Sequence, residues 1–266
     1  MLRSLHSGSE STSARMKEVR PAVLVIAATD SSGGAGLTRD VRVLTDFGAD
    51  VTCAITAVTA QSDSRVTAIH HVPPEVIRAQ VAAAFETRHV AAIKIGMLGT
   101  HATVEAVVGS IPQQVSVPIV LDPVLVSSSG GILLDAGGLA AMRQYLFPRV
   151  TLVTPNVPEA AALLDEDVAT SEHVLIEQAK SLLNFGPQAV LLKGGHLDGE
   201  EAIDLLVCRH HALQRIRSAR ISATSRGTGC ALASAIAAGL ASGISLFEAC
   251  QHAQRAVVEM LSRKLI

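Results

Sequence analysis

The sequence predicts an α/β protein with three layers, in which helices cover both sides of a mostly parallel central sheet that has an antiparallel edge. Three observations lead to this prediction. Short apolar runs rich in β-branched residues alternate along the chain with helical patterns. These runs lack the polar alternation of a half-exposed strand, so both faces of each strand are expected to be buried. The alternation ends in two adjacent strand-like runs around the polar residues 209–211, which predict an antiparallel pair.

The elements follow one another without a break in composition, which indicates one domain over residues 21–266. Residues 1–20 are polar, Ser-rich and aperiodic, and we expect them to form a disordered extension. The predicted strands are 22–28, 51–59, 91–97, 118–124, 151–154 and 189–193, followed by the antiparallel pair 202–208 and 212–216. The predicted helices are 37–47, 74–86, 102–110, 135–147, 158–164, 172–185, 229–241 and 246–264.

The composition favours small-molecule chemistry. A formal net charge of -2 and an aromatic content of 2% argue against a nucleic-acid partner. The four cysteines show no CxxC spacing, so we expect reduced thiols in the cytoplasm and neither a zinc site nor a disulfide framework. No uninterrupted apolar run approaches the roughly 20 residues that cross a bilayer, so no membrane partner is expected.

The most informative stretch is a glycine-rich turn ahead of an apolar helix. Gly227, Thr228 and Gly229 precede a run of Ala, Leu and Ile that predicts a buried helix. The free N–H groups and the dipole of a helix N-terminus can bind an anion, most often phosphate. Cys230 lies in the first turn, where the same field favours a thiolate. The turn therefore suggests phosphoryl transfer, although a tight turn followed by a core cysteine is the alternative.

Three side chains at or near other strand ends could face a bound ligand, and two of them suit a flat ring. Asp40 lies one turn into the helix that follows the glycine-rich loop 29–36, and its carboxylate could face back over that loop. Gln61 closes a strand with an amide that can donate and accept, as a heteroaromatic edge requires. Met97 could pack against the ring. A solvated aspartate, a capping glutamine and a core methionine are the respective alternatives.

Four polar residues at the remaining strand ends suit a nucleotide and a metal. Asp122 ends an otherwise apolar strand, where burial without a partner is costly and phosphate-bound Mg²⁺ would supply one. Asn156 lies in a loop, and Glu159 follows in the first helical turn, where it could equally serve the helix dipole. Lys193 lies beside two glycines and could contact a polyphosphate.

These motifs occur together, in the order DSSGGAG, TAQ, KIGML, DPV, TPNVPEA, LLKGGH and GTGC. In combination they resemble the hydroxymethylpyrimidine/phosphomethylpyrimidine kinases of thiamin biosynthesis, which are ribokinase-like enzymes, from residue 23 to about residue 261. The resemblance implies a ribokinase-like αβα sandwich and a homodimer. It also implies MgATP-dependent phosphorylation of a pyrimidine hydroxymethyl group and then of its monophosphate.

The resemblance further implies roles for individual residues. Asp40 and Gln61 would bond the aminopyrimidine, and its pocket would be lined by Ala28, Ala35, Met97 and Val124. Gly227, Thr228 and Gly229 would form the anion hole, beside Cys230 as the catalytic base. ATP would be bound by Asn156, Lys193 and Thr224, and Mg²⁺ by Asp122 and Glu159. We expect the helix N-terminus to lower the pKa of the Cys230 thiol far enough for it to act as a base.

Four positions depart from the family pattern: Ala28 replaces a Gly, Ser62 an Asn, Ser128 a Lys and Arg226 a His. These changes bear on substrate range and turnover. Two alternatives remain open. One is a pyridoxal kinase with the same type of GTGC site, and the other is a weakened homologue that binds a pyrimidine or vitamin as a sensor.

Overall fold

The computed structural model describes residues 20–113, 116–127, 130–194, 201–220 and 226–262. Its strands are β1 (Ala22–Asp30), β2 (Asp50–Gln61), β3 (Val66–His71), β4 (Val90–Ile95), β5 (Ile119–Leu121), β6 (Leu152–Val153), β7 (Ala189–Leu192), β8 (Glu201–Cys208) and β9 (Gln214–Ala219). They form one sheet in the order β3-β2-β1-β4-β5-β6-β7-β8-β9. The six central strands, β2, β1, β4, β5, β6 and β7 in sheet order, pair in parallel. At one edge β3 is antiparallel to β2, and at the other β8 is antiparallel to β7 and β9 to β8.

The described helices are α1 (Gly36–Asp46), α2 (Pro74–Thr87), α3 (His101–Ser110), α4 (Ala136–Ala141), α5 (Val157–Leu164), α6 (Glu172–Leu183), α7 (Thr228–Ala241) and α8 (Leu246–Ser262). The helices form two layers, one on each face of the sheet, and alternate residues of β1 point into one layer or the other. Val23 and Val25 pack in the cluster that contains α1, α7 and α8, whereas Leu24 and Ile26 pack in the cluster that contains α2 to α6. The predicted three-layer arrangement is confirmed. The continuous apolar sequence of β1 follows from burial on both faces.

The structure corrects the sequence prediction at three elements. β3 was not predicted, because all of its residues are half-exposed or exposed and its sequence lacks an apolar run. The helix predicted at 135–147 is shorter, since α4 passes into a π-helical turn (Met142–Leu146) and then a 3₁₀ turn (Phe147–Arg149). Of the strand predicted at 118–124, only β5 pairs in the sheet.

Helix α7 is the central helix of its layer. It packs on β4 and β5 and is flanked by α1 and α8, and its residues 231–239 are all buried. Its many alanines suit this position, because small side chains let neighbouring helices approach while keeping helix propensity high. Among the described residues, no helix is both long enough and apolar enough to cross a membrane. The predicted extension, residues 1–20, lies outside the described residues apart from Arg20.

Candidate active site

The carboxyl ends of the parallel strands and the N-terminus of α7 meet around one cavity of about 690 Å³. Parallel strands present their carboxyl ends at one edge of a sheet, which explains the convergence. Every predicted site residue lines this cavity except Asp40 and Thr224, and Thr224 lies outside the described residues. The lining set is Ala28, Ala35, Gln61, Met97, Asp122, Val124, Asn156, Glu159, Lys193, Gly227, Thr228, Gly229 and Cys230.

One end of the cavity has an apolar floor with a single amide beside it. Ala28, Met97 and Leu133 form a buried cluster against which Val124 packs. The backbone of Gln61 is held in both directions by the Ser31 hydroxyl, which donates to its carbonyl oxygen and accepts from its N–H, both at 2.8 Å. The Thr59 hydroxyl donates to the side-chain oxygen of Gln61 at 3.5 Å. This end can therefore hold a flat apolar ring with the Gln61 side-chain amide at its edge.

Residues 227–229, called here the anion turn, begin α7 and connect the two ends of the cavity. Gly227 is the N-cap, with φ of 73°, and none of the described side chains caps the helix. A Cβ atom at Gly227 would collide with the carbonyl oxygen of Gly34. A Cβ atom at Gly229 would lie 3.2 Å from Nζ of Lys193 and 3.4 Å from Oδ2 of Asp122. Glycine is therefore needed at Gly227, whereas a side chain at Gly229 would have to displace the ends of Lys193 and Asp122 slightly. The N–H groups of the first turn stay available for an anion.

A buried charge cluster occupies the other end of the cavity. Nζ of Lys193 lies 3.3 Å from Oδ1 of Asp122 and 3.9 Å from Oε2 of Glu159. Burial by itself lowers the pKa of Lys193, but the two carboxylates outweigh burial and raise that pKa overall. Burial raises the pKa of Glu159 to about 7, and the Asp122 charge acts in the same direction. Within this cluster one ammonium therefore faces two carboxyl groups.

Asn156 and Glu159 form a capping box at the start of α5. The Asn156 side chain accepts from the Glu159 N–H, and Oε2 of Glu159 accepts from the Asn156 N–H, both at 2.8 Å. The alternative considered for Glu159 was an interaction with the helix dipole, and its carboxylate does lie in the first turn of α5. The box also fixes both side chains at the cavity wall, since each holds the other in place.

The structure does not place Asp40 where the sequence analysis expected it. Asp40 is fully buried and does not line the cavity. Its Oδ2 accepts from Nζ of Lys94 at 2.7 Å, and its Oδ1 accepts from the Ser234 hydroxyl at 2.9 Å. Asp40 faces the sheet because Asp40, Val43 and Leu44 belong to the buried face of α1. The prediction that Asp40 bonds the ring directly is therefore corrected to a role beneath the site.

Lys94 is the partner that the sequence analysis did not assign. Its side chain is fully buried near the end of β4, and the residue lines the cavity. Burial favours the neutral amine, but the Asp40 carboxylate outweighs it and holds the pKa of Lys94 above its usual value. The charged pair therefore lies against α7, which it contacts through the Ser234 hydroxyl.

In the ligand-free protein, the surroundings of the half-buried Cys230 act against the expected activation of its thiol. Burial raises the pKa of the thiol to about 12, and the charges of Asp40 and Asp122 add to the increase. The Lys94 ammonium and the N–H of Gly36 favour the thiolate, but they do not outweigh burial. A helix N-terminus lowers a thiol pKa only where the thiolate remains adequately solvated.

We expect alkylation of Cys230 by iodoacetamide to rise about tenfold per pH unit between pH 7 and 10, without levelling off. The reason is that a thiol with a pKa near 12 is ionised at about one part in 10⁴ at pH 8. Labelling of each cysteine can be followed by mass spectrometry of peptides. The urea-unfolded protein is the control, since its thiols should level off above about pH 8.5. A plateau below pH 9 in the folded protein would contradict the neutral thiol.

Two further lining or neighbouring residues hold the loops of the site. Asp204 on β8 accepts from the Gly194 N–H at 3.0 Å and from the Gln254 amide at 3.3 Å, which fixes the backbone next to Lys193. Arg226, just before the anion turn, bonds Asp30 and Ser32 at the end of β1, and Ser62 and Asp63 in the loop after β2. A buried aspartate within a β-strand was the available signal for Asp204. Ser128 lies outside the described residues.

A cleft that can hold a polyphosphate at one end and a flat acceptor at the other defines a small-molecule kinase. With this sheet topology, the class is that of the ribokinase-like kinases. The family model described as phosphomethylpyrimidine kinase matches residues 30–265 of the chain. The chain belongs to that family.

Curated relatives and solved structures agree with this assignment. The chain is 40% identical over 232 residues to the hydroxymethylpyrimidine/phosphomethylpyrimidine kinase of Rhizobium meliloti, covering 87% of this chain and 86% of that protein. It is 42% identical over 216 residues to the Escherichia coli enzyme of the same name, covering 81% of each. The phosphomethylpyrimidine kinase structure from Clostridium difficile aligns with a TM-score of 0.79 at 32% identity, over 91% of this chain and 99% of that one.

A pyridoxal kinase is also similar in structure. The ADP complex of the Bacillus subtilis pyridoxal kinase aligns with a TM-score of 0.81 at 30% identity, over 89% of this chain and 90% of that chain. The fold is therefore shared by kinases that act on two different rings, and the acceptor has to be argued from the cavity itself.

Proposed function

We propose that this protein transfers the γ-phosphoryl group of ATP to the hydroxymethyl group of 4-amino-5-hydroxymethyl-2-methylpyrimidine, and then a second one to the resulting monophosphate. The observation that carries the proposal is the anion turn, which contacts the acceptor-side loop through Gly227 and approaches the charged cluster through Gly229. Its amides therefore lie where a transferred phosphoryl group must pass. The kinase names of the relatives at about 40% identity support the same acceptor.

The acceptor end supports a pyrimidine through shape and one polar group. The floor of Ala28 and Met97 is apolar, and the anchored Gln61 offers an amide oxygen and an N–H₂ group to the edge of an aminopyrimidine. In this arrangement the hydroxymethyl group lies toward Cys230. Because the free thiol is neutral, its role in the ligand-free enzyme is to shape the acceptor position, and a base role would require bound substrates to lower its pKa.

The charged end supports a nucleotide with its metal. Lys193 and the first-turn amides of α7 would bind the transferred phosphate, and Asn156 would present its amide N–H₂ group to the phosphates or ribose. Asp122 and Glu159 would hold Mg²⁺, which neutralises phosphate charge when bound. The described residues contain no group of three or more His, Cys, Asp or Glu able to hold a metal alone. This fits Mg²⁺, which is commonly bound by one or two carboxylates together with substrate phosphates.

Phosphoryl transfer from ATP to a hydroxyl group requires little covalent chemistry from the protein. Phosphoryl transfer passes through a loose transition state, so catalysis consists mainly of alignment and charge stabilisation. The uncapped N–H groups and Lys193 are fixed before the nucleotide arrives, which is the condition for effective electrostatic stabilisation. A ring seated on the apolar floor would exclude water from the acceptor side and so limit transfer of the phosphoryl group to water.

The test is an ADP-release assay with MgATP and three acceptors: the hydroxymethylpyrimidine, its monophosphate and pyridoxal. We expect both pyrimidines to give a kcat/KM at least about tenfold above that of pyridoxal, a difference of about 1.4 kcal/mol. A Gln61→Leu variant is the matched control, and it should raise the KM of the pyrimidine while leaving the KM of ATP unchanged. Faster turnover of pyridoxal would favour the pyridoxal kinase alternative. Binding of a pyrimidine without any turnover would favour a sensor.

Two coarser features complete the proposal. A homodimer is supported by the exposed apolar side chains of Val58, Val126 and Ile132, of which the last two pair across a β-bridge beside the acceptor end. Sedimentation should then give twice the chain mass of 27.6 kDa, and a single-chain mass would contradict it. A cytoplasmic location is supported by the unpaired state of all four cysteines.

A further inference from the structure

Arg226 joins the anion turn to two loops that are distant in sequence. Its Nη1 donates to the Ser32 hydroxyl at 2.9 Å, and to the Ser62 carbonyl oxygen and Oδ1 of Asp63, both at 3.0 Å. Its Nη2 donates to Oδ2 of Asp30 at 3.0 Å. The Arg226 side chain is only 14% exposed, so this guanidinium is enclosed by the loops it bonds.

Through Asp30, Arg226 is connected to the wall of the cavity, which Asp30 lines. Oδ2 of Asp30 also accepts from the Ala35 N–H at 3.0 Å, and its Oδ1 accepts from the N–H and the hydroxyl of Ser32 at 2.9 and 2.8 Å. The Asp30 side chain is 4% exposed. The loop from Asp30 to Ala35 is therefore folded around a carboxylate whose charge Arg226 compensates.

A second set of bonds connects Arg226 to the chain next to Gln61. Arg226 bonds the residues that directly follow Gln61, while Ser31 bonds the Gln61 backbone from the first loop. The Asp63 contact is at the surface, since that side chain is 91% exposed, and it contributes little by itself. The contact with Asp30, whose side chain is 4% exposed, and the bond to the Ser62 carbonyl oxygen, a backbone atom, are the ones that fix the geometry.

We propose that Arg226 is a positioning residue that determines how tightly the acceptor binds. It holds the Ala35 and Gln61 walls in register with the anion turn, so the acceptor end is preformed before the pyrimidine enters. Arginine suits this position because its planar fork supplies several N–H donors in fixed directions, which a lysine ammonium does not. The inference rests on the proposed function, because it assigns the acceptor to this end of the cavity.

The effect of Arg226 should fall on the acceptor and spare the nucleotide. The charged cluster of Lys193, Asp122 and Glu159 has its own contacts, none of which involves Arg226 among those described. In an Arg226→Met variant we expect the pyrimidine KM to rise about 10- to 100-fold, because small misplacements of a binding wall carry losses of this size. The KM of ATP should change less than about threefold, and Arg226→Lys should lie between wild type and Arg226→Met.

The experiment measures kcat and KM for each substrate in wild type, Arg226→Met, Arg226→Lys and Arg88→Met. Arg88→Met is the matched control, because it removes an arginine from an exposed pair with Asp50, and its kinetics should equal those of the wild type. An unchanged pyrimidine KM in Arg226→Met, or equal increases in both KM values, would overturn the inference.

Amide hydrogen exchange on the ligand-free proteins provides a readout that does not depend on turnover or on which acceptor is used. The Ala35 and Gln61 amides should exchange at least about tenfold faster in Arg226→Met and Arg226→Lys than in wild type, while α5 remains protected. Unchanged exchange at both amides would overturn the inference. If wild type turns over no pyrimidine, the proposed function fails separately from the exchange result. If Arg226→Met does not fold, Arg226→Lys carries both measurements.

Discussion

An Asp40→Asn variant is expected to lose about 3–5 kcal/mol of unfolding free energy, the usual result of removing one partner from a buried ion pair. Asp40 and Lys94 are both fully buried and lie 2.7 Å apart. The substitution would leave the Lys94 ammonium uncompensated, and it would weaken the hydrogen bond that Asp40 accepts from Ser234. Urea unfolding followed by circular dichroism measures the change.

Two further variants make this prediction specific. Asp50→Asn removes a carboxylate from an exposed pair with Arg88, and it should shift the unfolding free energy by less than about 1 kcal/mol. The double variant Asp40→Asn with Lys94→Met should recover part of the loss, because it no longer buries an unpaired charge. A loss below about 1 kcal/mol in Asp40→Asn would contradict the prediction, because it would show that the buried pair contributes no more than an exposed one.

A Lys193→Met variant is expected to lower kcat by about 10²–10³-fold, the range observed when one preorganised electrostatic contact to a transition state is removed. The ammonium of Lys193 pairs with the carboxyl groups of Asp122 and Glu159 at the proposed nucleotide end. Its removal would leave Asp122 and Glu159 to repel the incoming phosphates. The measurement is steady-state turnover at saturating MgATP and pyrimidine.

Two further lysine variants test whether the effect depends on the position of the charge and on its shape. Lys180→Met, which removes an exposed lysine paired with Glu177, should leave kcat unchanged. Lys193→Arg keeps the charge but changes the shape, and it should recover only part of the rate. If Lys193→Met kept kcat within about threefold of wild type, Lys193 would have only a structural role beside Asp122 and Glu159.

Much of the fold could be predicted because a strand that is buried on both faces has an uninterrupted apolar sequence. Residues 22–28 show this, and the strand is found there. The edge strand β3 could not be predicted in the same way, since exposure removes the apolar signal. The break in the helix after α4 also had no local signal, because its residues keep a helical pattern while the backbone passes into a π-turn.

The site was predictable to the extent that strand ends converge in any parallel sheet. This rule predicted that Gln61, Asp122 and Lys193 lie around one site, although no distances were known. Asp40 was placed wrongly because its position was judged only against the neighbouring loop, although Lys94 in the buried run of β4 needed a carboxylate partner. A lysine in an apolar strand was the signal that could have identified this pair.

Cys230 and Arg226 show a second limit of sequence reasoning. The helix N-terminus beside Cys230 is local and was predicted, but the burial that raises the thiol pKa comes from packing of distant segments. The bonds of Arg226 to Asp30 and Asp63 join residues more than 160 positions apart, so no local pattern indicates them.

The central claim is that one cavity holds the phosphates of MgATP on the anion turn and the pyrimidine against Gln61. The most direct measurement is a crystal structure with a non-hydrolysable ATP analogue, Mg²⁺ and the hydroxymethylpyrimidine. We predict that the γ-phosphate accepts from the N–H groups of residues 227–229 and from Lys193, with the metal on the side of Asp122 and the acceptor hydroxyl facing the γ-phosphate beside Cys230. A nucleotide bound away from the anion turn, or a pyrimidine bound away from Gln61, would contradict the account.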